Sequence, residues 1–335
     1  MDIRSGVPLS NYTTLKVGGV AAHVAKVTTE AELQQVRQFA QQIDAPVLLL
    51  GGGSNVLVSD QGYPGVVAIN QIKGIEYQTL DQRMVQVTIG AGELLDDVVA
   101  DAVSRGYWGL ENLSHIPGTM GAAPIQNVGA YGVEVSGLIT SVRATSLSTG
   151  TVQIFGNQDC QFGYRDSYFK TDAGRDWVVT SVTCALSIQR DPHLQYGDLQ
   201  QLDADLCSVA EVRSKVIDIR SGKFPDWHTV GTAGSFFKNP IINADHRDQL
   251  VQQFPDLPTF MMPDGRYKIA LGWVLDHVCG LRGYSDGVVG LYDKQALVLI
   301  NTGDSAAAIE IFAAKIAALV HNKTAIHIEP EVRFV

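Results

Sequence analysis

Three consecutive glycines, followed by a serine and an asparagine, form the first group of residues whose types suit a ligand. They lie in residues 47–60, which read VLLLGGGSNVLVSD. Glycines allow the backbone to curl, so that several N–H groups converge on phosphate oxygens. Ser54 and Asn55 add side-chain donors at the rim. No Gly-Lys-Ser/Thr follows, so this is not a P-loop, and a tight β-turn that binds nothing explains the glycines equally well.

A second glycine-rich stretch favours the ligand-binding alternative. Residues 116–132 read IPGTMGAAPIQNVGAYG and carry almost no charge. A solvent-facing loop of this length is normally polar. Two such loops in one chain predict an extended cofactor that is flat and partly polar, and not a single phosphate.

The segment VTIGAGELL is a weaker candidate, although it also contains a G-x-G pattern between a strand and a helix. Leu95 stands where the third glycine of a dinucleotide-binding fingerprint belongs. We therefore interpret this segment as a plain strand–turn–helix connection.

Several compact polar groups are further candidates for chemistry. They are Tyr164, Arg165 and Asp166 in FGYRDSYFK, Tyr196 in LQYGDL, Arg220 and Lys223 in IRSGKFP, Ser235 and Asn239 in AGSFFKNP, and Glu331 in EPEVRF. Each taken singly has an ordinary structural explanation. A Tyr-Arg-Asp cluster is commonly a surface ion-pair network worth about 0–1 kcal/mol, and Phe236 and Phe237 are expected in the core.

Composition excludes several classes of protein. The net charge of −10 disfavours non-specific binding to nucleic acid. Four scattered cysteines and eight scattered histidines show no metal-ligand or disulfide spacing, so we expect no metal site. No apolar run approaches the ~18 residues of a membrane span, and the N-terminus lacks the apolar core of a signal peptide.

The elements that must hold these residues follow from capping signals and periodicity. Capping-box spacing at Thr29 and at Ser208 predicts two helix starts, and Ser305 is predicted to cap a third helix. The first of these helices lies in a β-α-β opening. Gly106 is predicted to end a helix that begins near residue 95, and Gly222 to end a helix that runs through Arg220.

The middle of the chain predicts a sheet. Residues 84–90 alternate like a strand, residues 138–155 form a hairpin that turns at 148–150, and residues 177–188 form another strand. In the last ten residues, Ile326, Ile328, Val332 and Phe334 are predicted to share one strand face. We predict three units: residues 1–72 joined by the last strand, 326–335; residues 73–222; and residues 223–325.

Six segments, in order along nearly the whole chain, resemble the UDP-N-acetylenolpyruvoylglucosamine reductase family. They are NYTTLKVGG, LGGGSNVLVSD, IPGTMGAAPIQNVGAYG, FGYRDSYFK, GTAGSFFKNP and EPEVRF. The resemblance implies an α+β fold: the FAD-binding fold of the vanillyl-alcohol-oxidase type, with two α+β subdomains, plus a C-terminal α/β substrate-binding domain. It also implies an NADPH-dependent, cytoplasmic enzyme of peptidoglycan precursor synthesis with non-covalent FAD, which we expect to be a monomer.

The resemblance assigns cofactor contacts to both glycine loops and to a few residues elsewhere. These contacts are Gly51, Gly52, Gly53, Ser54, Asn55, Gly118, Ala122, Ala123, Ile125, Asn127, Gly129, Tyr164, Arg220 and Arg333. The glycine loop would hold the FAD pyrophosphate, and the second loop would pass along the flavin. Some relatives carry serine at the position of Ala122, so any contact here must come from the backbone.

The resemblance also assigns the catalytic residues. Ser235 matches the proton donor, and Arg165 and Glu331 match the pair that flanks the substrate carboxylate. A guanidinium suits a planar carboxylate, whereas a glutamate beside that anion helps only when it is protonated or hydrogen-bonded.

The substrate, UDP-N-acetylglucosamine enolpyruvate, would contact a third set of residues. These are Tyr196, Lys223, Asn239 and Gln295, with Lys268 and Arg282 as weaker candidates. LQYGDL further resembles the subtype of the family in which a tyrosine loop closes over the diphosphate.

Two alternatives remain open at this point. Another flavin oxidase or dehydrogenase of the same fold would have no reason to carry both GSFFKNP and EPEVRF. A nucleotide-sugar-binding protein that has lost its flavin would lack absorbance in the flavin bands.

Overall fold

A small, mostly parallel sheet opens the chain in the computed structural model, which describes residues 1–335. Its strands, in spatial order, are Ile3–Pro8, Val20–Val27, Tyr63–Asn70 and Val47–Leu50. The last three pair in parallel. The helix Glu30–Gln42 connects two of them and buries Leu33, Val36 and Ala40, so the predicted β-α-β opening is confirmed. The glycine loop begins where the strand Val47–Leu50 ends.

The three predicted helix starts are confirmed by their caps. The Thr29 hydroxyl accepts the Glu32 N–H at 3.1 Å. The Ser208 hydroxyl accepts the Glu211 N–H at 3.2 Å, and the Glu211 carboxylate accepts the Ser208 N–H in return. Ser305 accepts the N–H three residues later. Each bond satisfies an N–H group that the first turn of the helix leaves without a partner.

The predicted middle sheet has five antiparallel strands. In spatial order they are Val152–Gly156, Ile139–Ser146, Trp177–Ser187, Met84–Gly90 and Ile75–Thr79. The helix Leu95–Ser104 follows the fourth of these, and Gly106 lies just beyond its end with φ +80°. A short strand pair, Gly129–Ala130 with Val133–Glu134, closes the second glycine-rich stretch.

The C-terminal region contains two further antiparallel sheets. One has the strands Gly231–Ser235, Val298–Asn301, Val289–Leu291 and Ser285–Asp286; the other has Ile241–Ile242, Tyr267–Ile269 and Thr259–Met261. The accompanying helices are Ala244–Gln253, Leu271–Trp273, the π-helical turn Val274–Val278 that continues it, and Ala306–Thr324. Seven short 3₁₀ turns are Leu9–Tyr12, Glu111–Leu113, Val135–Gly137, Gln158–Cys160, Tyr168–Lys170, Gly174–Asp176 and Gly197–Gln201.

Gly222 does not end its helix, so that prediction is wrong. The helix runs from Val209 to Lys223, and Gly222 lies inside it without a left-handed φ. The helix ends where Pro225 approaches, because a residue that precedes proline is disfavoured in the α conformation.

The predicted terminal strand is also much shorter than expected. Only Arg333–Phe334 is a strand, paired in parallel with Val56–Leu57. Ile326, Ile328 and Val332 are buried, but Phe334 is 45% exposed. Pro330 interrupts the pattern, because proline lacks the N–H that a continuous ladder requires.

The chain divides into two compact units. One comprises residues 1–7, 21–53 and 63–220, and the other comprises residues 8–20, 54–62 and 221–335. The predicted division of residues 1–222 into two subdomains, 1–72 and 73–222, stays a proposal. The four cysteines are free thiols. None of the helices combines the length and apolar composition that a bilayer span requires.

Candidate active site

The two glycine-rich stretches pack directly against each other in the first unit. A Cβ atom added to Gly52 would lie 2.9 Å from the Gly118 Cα, and one added to Gly51 would lie 2.2 Å from the Thr119 Oγ1. Both distances are shorter than van der Waals contact, so only glycine allows this approach. The structure thus brings the two loops into direct contact, at a close approach that the glycines of the first loop allow.

The segment that mimics a dinucleotide fingerprint supports the second loop. The N–H of Leu95 donates to the Gly118 carbonyl at 3.0 Å, and the N–H of Gly121 donates to the Ala91 carbonyl at 2.8 Å. The strand ends at Gly90 and the helix begins at Leu95. The predicted strand–turn–helix connection is therefore present, and its turn supports the second loop.

Arg220 joins the two ends of the second loop. Its Nε donates to the His115 carbonyl at 3.0 Å, and its guanidinium shares a side-chain hydrogen bond with the Tyr131 hydroxyl. The Arg220 side chain is almost fully buried, and this burial lowers its pKa below the ordinary value, while Tyr131 and Asp96 oppose the shift. An arginine stays protonated under these conditions, so it places a fixed positive charge at the base of the loop.

An ion pair between Asp96 and Arg213 lies at the start of the same loop. Asp96 accepts the His115 N–H at 2.6 Å and is paired with Arg213 at 2.6 Å. Burial raises the pKa of Asp96, but the hydrogen bonds from Arg213 and His115 outweigh it, so the pKa lies below its ordinary value. Asp96 is therefore a stable anion that orients the entry to the loop.

Arg165 lies on a two-residue turn against the second loop. Gly163 and Asp166 exchange backbone hydrogen bonds, and Arg165 between them has φ +53°. Its Nη2 donates to the Gly129 carbonyl at 2.8 Å, and its guanidinium lies 5.5 Å from the centre of the Tyr164 ring. A left-handed φ costs an ordinary residue about 1–2 kcal/mol. The contacts with the Gly129 carbonyl and the Tyr164 ring hold the guanidinium in a defined orientation.

The other predicted cofactor residues of the second loop differ in what they present. Asn127 is buried, and its amide donates to Glu134 at 2.8 Å and to the Gly163 carbonyl at 3.0 Å. Its side chain is thus committed to the protein, which leaves the backbone for any cofactor contact. Ala122 is exposed and Ala123 is buried, within the run of turns that also holds Ile125.

Ser235 and Glu331 lie on hydrogen-bonded neighbouring segments in the second unit. Ser235 ends a strand that is bulged just before it, where Gly234 has φ +72°. The N–H of Glu331 donates to the carbonyl of Phe236 at 2.8 Å. Phe236 and its neighbour Phe237 are fully buried, as predicted. These aromatic anchors and the bulge set the direction of the serine.

Asn55 connects this arrangement to the residues that follow the glycine loop. Its Nδ2 donates to the Glu331 carbonyl at 3.2 Å, and its own carbonyl accepts the Arg333 N–H at 3.1 Å. Ser54 precedes it in the same unit. A predicted catalytic residue, Glu331, and two predicted cofactor residues, Asn55 and Arg333, therefore belong to one local network of the second unit.

Three of the predicted substrate residues lie around the start of one helix. Asn239 Oδ1 accepts the Leu271 N–H at 3.0 Å. Gln295 Oε1 lies 2.9 Å from the Cβ position of Gly272, the next residue. Lys268 is on the strand that leads to this helix, with its Nζ 5.7 Å from the Phe260 ring centre.

The remaining predicted substrate residues lie elsewhere. Arg282 forms an ion pair with Asp276. Lys223 is the last residue of its helix. Tyr196 is 52% exposed, and its ring packs edge-on against Tyr131 with the ring centres 5.6 Å apart.

Sequence reasoning missed Asn112, His115 and Tyr131 as residues that shape the site. Asn112 and His115 lie just before the second loop, and Tyr131 lies within it. Their roles depend on contacts with residues 96, 193, 196 and 220. The only signal for these three residues in the sequence was their position beside or within the glycine-rich stretch.

Comparisons with known proteins agree with this geometry. The profile of the FAD-binding domain family matches residues 21–156, and that of the UDP-N-acetylenolpyruvoylglucosamine reductase C-terminal domain matches residues 226–335. The chain is 42% identical to the UDP-N-acetylenolpyruvoylglucosamine reductase of Ralstonia nicotianae over 97% of this chain and 96% of that protein. It is 40% identical to the enzyme of Chromobacterium violaceum, over 99% and 98%.

The chain belongs to the UDP-N-acetylenolpyruvoylglucosamine reductase family. The crystal structure of the Thermus caldophilus reductase matches 99% of both chains, with a TM-score of 0.68 and 26% identity. The predicted family and fold class are thus confirmed, and the chain is an FAD-dependent oxidoreductase.

Proposed function

We propose that this chain reduces the enolpyruvyl ether of UDP-N-acetylglucosamine enolpyruvate to UDP-N-acetylmuramate, with NADPH as the reductant. The observation that carries the proposal is the pairing of the Ser235 and Glu331 segments. It brings the backbone segments that carry Ser235 and Glu331 next to each other, within the residues that match the reductase C-terminal domain.

The flavin-binding residues fit this function. The backbone N–H groups of residues 51–53 suit the pyrophosphate, with Ser54 and Asn55 as additional donors. The packing of Gly52 on Gly118 keeps the two loops close enough to hold one long nucleotide. FAD held by these residues would supply the hydride chemistry, with NADPH as the hydride source and the substrate as the acceptor.

Ser235 supplies the proton in this proposal. Hydride addition at the methylene carbon leaves negative charge on the neighbouring carbon, which is conjugated with the substrate carboxylate. Serine is a weak acid, but this carbanion-like centre is a strong base. The bulge at Gly234 directs the hydroxyl, and positioned proton transfer typically contributes about 10²–10⁴-fold in rate.

Arg165 and Glu331 orient the substrate carboxylate in this proposal. The Arg165 guanidinium is held by the Gly129 carbonyl and has a planar fork that matches a carboxylate. The backbone of Glu331 is anchored to Phe236 and Asn55. Its carboxyl contributes if it donates a hydrogen bond to the developing charge, and therefore acts in the protonated form.

The substrate nucleotide is bound by the residues assigned to it from the family. Asn239, Lys268 and Gln295 present polar groups around the start of the Leu271–Trp273 helix. Lys223 and Arg282 add positive charge for the diphosphate, and Tyr196 closes over it. We further propose that the enzyme acts as a monomer in the cytoplasm, which light scattering and cell fractionation test.

The experiment that tests the proposal separates the two half-reactions. Under anaerobic conditions, NADPH should bleach the flavin absorbance, and the enolpyruvyl sugar nucleotide should restore it. In Ser235→Ala the first step should stay normal, while the second slows by about 10²–10⁴-fold. Ser285→Ala is a matched control, because its hydroxyl bonds only to the carbonyls of its own turn.

Two outcomes would contradict the proposal. Wild-type protein that has no flavin absorbance, or whose reduced flavin the substrate does not reoxidise, would exclude this reaction. Normal reoxidation of Ser235→Ala would remove the serine as the proton donor.

A further inference from the structure

Asn112 connects two segments that are distant in the sequence. It lies in the Glu111–Leu113 turn and is fully buried. Its Nδ2 donates to the Tyr131 carbonyl and to the His193 carbonyl, both at 2.8 Å. Both partners are acceptors, so the amide must present its NH₂ group to them, and both of its hydrogens are used.

The two carbonyls belong to the segments whose tyrosine rings meet. Tyr131 ends the second glycine-rich loop, and Tyr196 follows His193 by three residues. Their rings are perpendicular within 4°, at an interplanar angle of 86°. Leu194 is 7% exposed and packs in the same apolar cluster as Tyr131. The backbone is thus anchored before Tyr196, while the Tyr196 side chain itself is half exposed.

The tyrosine contact continues to the charged base of the glycine loop. Tyr131 shares a hydrogen bond with Arg220, which also holds the His115 carbonyl. A shift of the Tyr131 backbone would therefore move both the surface on which Tyr196 rests and the hydrogen bond to Arg220. Asn112 is the side chain that holds the Tyr131 carbonyl in place.

We propose that Asn112 is a positioning residue for substrate binding, because it sets the segment 193–197, and with it Tyr196, against the second glycine-rich loop. The inference rests on the proposed function, in which Tyr196 contacts the substrate diphosphate. The Asn112 Oδ1 is buried and accepts no hydrogen bond. Such a group costs stability, so the residue is better suited to donating to these two carbonyls than to filling the core.

Asn112→Asp tests this role, since it keeps the size of the side chain and removes both donors. The dissociation constant of the enolpyruvyl sugar nucleotide, measured from the perturbation of the oxidised flavin spectrum, should rise by about tenfold. Asn157→Asp is the matched control, because Asn157 also donates to two carbonyls, those of Ser136 and Ile139, and its substrate affinity should stay unchanged.

A double-mutant cycle distinguishes positioning from general stabilisation. In a Tyr196→Ala background, Asn112→Asp should weaken substrate binding by less than about twofold, because the residue through which it acts is gone. A purely structural residue would retain its full effect there. Chymotrypsin should also cleave at Tyr196 faster in Asn112→Asp than in wild type or Asn157→Asp.

A failure of the positioning role of Asn112 can be distinguished from a failure of the proposed function. If Asn112→Asp does not fold, Asn112→Ser is used, since one hydroxyl can satisfy at most one of the two carbonyls. Unchanged substrate affinity in the folded variant, or full additivity with Tyr196→Ala, would overturn the positioning role. A wild-type chain that binds flavin and turns over substrate keeps the proposed function intact in either case.

Discussion

A single methyl group at Gly52 should separate the two glycine-rich loops. The Cβ of Gly52→Ala would lie 2.9 Å from the Gly118 Cα, whereas carbon atoms normally approach to about 3.5–4.0 Å. The atom it meets belongs to the backbone, so no side-chain rotation relieves the contact. The loops must therefore move apart by roughly 0.6–1 Å.

The cost of this movement follows from the response of packed sites to extra methyl groups. Such insertions typically cost about 1–3 kcal/mol, which corresponds to roughly 5–150-fold in an equilibrium constant. The cost appears in the free energy of unfolding, in FAD affinity, or in both, depending on whether the bound nucleotide holds the loops together.

Gly222→Ala is the matched control with the opposite sign. Nothing lies within 4 Å of its Cβ position, and the residue is inside a helix. Alanine there should stabilise the protein by about 0.5–1 kcal/mol, with FAD affinity unchanged.

The assay titrates FAD into the flavin-free protein, follows quenching of flavin fluorescence, and measures urea unfolding of the same samples. Wild-type affinity together with wild-type stability in Gly52→Ala would refute the packing argument. A destabilised Gly222→Ala would show that the helix ends before this residue.

Two further predictions concern buried and capping carboxylates. Asp60 accepts the Ala306 N–H at 2.6 Å; burial raises its pKa, but hydrogen bonds outweigh this and hold the pKa below its ordinary value. Asp60→Ala should cost about 1 kcal/mol of unfolding free energy near neutral pH. The loss should begin to shrink as the pH falls below about 3.9, the pKa of an unfolded aspartate, and disappear only below the lower pKa that Asp60 has in the folded state; a loss that persists at still lower pH would contradict the capping role. Burial raises the pKa of Glu111, whose Oε2 accepts the Gly109 N–H. The wild-type fold should therefore lose stability as the pH rises above about 4.3 towards the raised pKa, and Glu111→Gln, compared by urea unfolding at several pH values, should remove this dependence; identical pH profiles would exclude it.

Local signals in the sequence correctly predicted most of the secondary structure. Thr29, Ser208 and Ser305 cap the helices that they were expected to cap, because a capping bond depends only on residues within one turn. The predicted hairpin that turns at residues 148–150 is also present, because a tight turn likewise depends on residues close together in the sequence. The helix runs one residue past Gly222 and ends shortly before Pro225, and the predicted terminal strand is shortened at Pro330.

The two glycine-rich loops illustrate the limit of local reasoning at the site. The composition of the two loops together predicted one extended cofactor, and the family resemblance predicted that this cofactor is FAD. Their contact at Gly52 and Gly118 depends on the sheet and the helix that carry them, and no residue in either loop indicates it.

The sequence by itself determined the family, the helix starts and the two glycine-rich loops, because these depend on residue types and short spacings. The tertiary structure alone decided that Arg220 joins the ends of the second loop and that Asn112 holds Tyr131 beside the Tyr196 segment. Hydrogen bonds between groups that are far apart in the chain form only when packing brings them together and removes water. The chemistry of one residue therefore does not predict its distant partner.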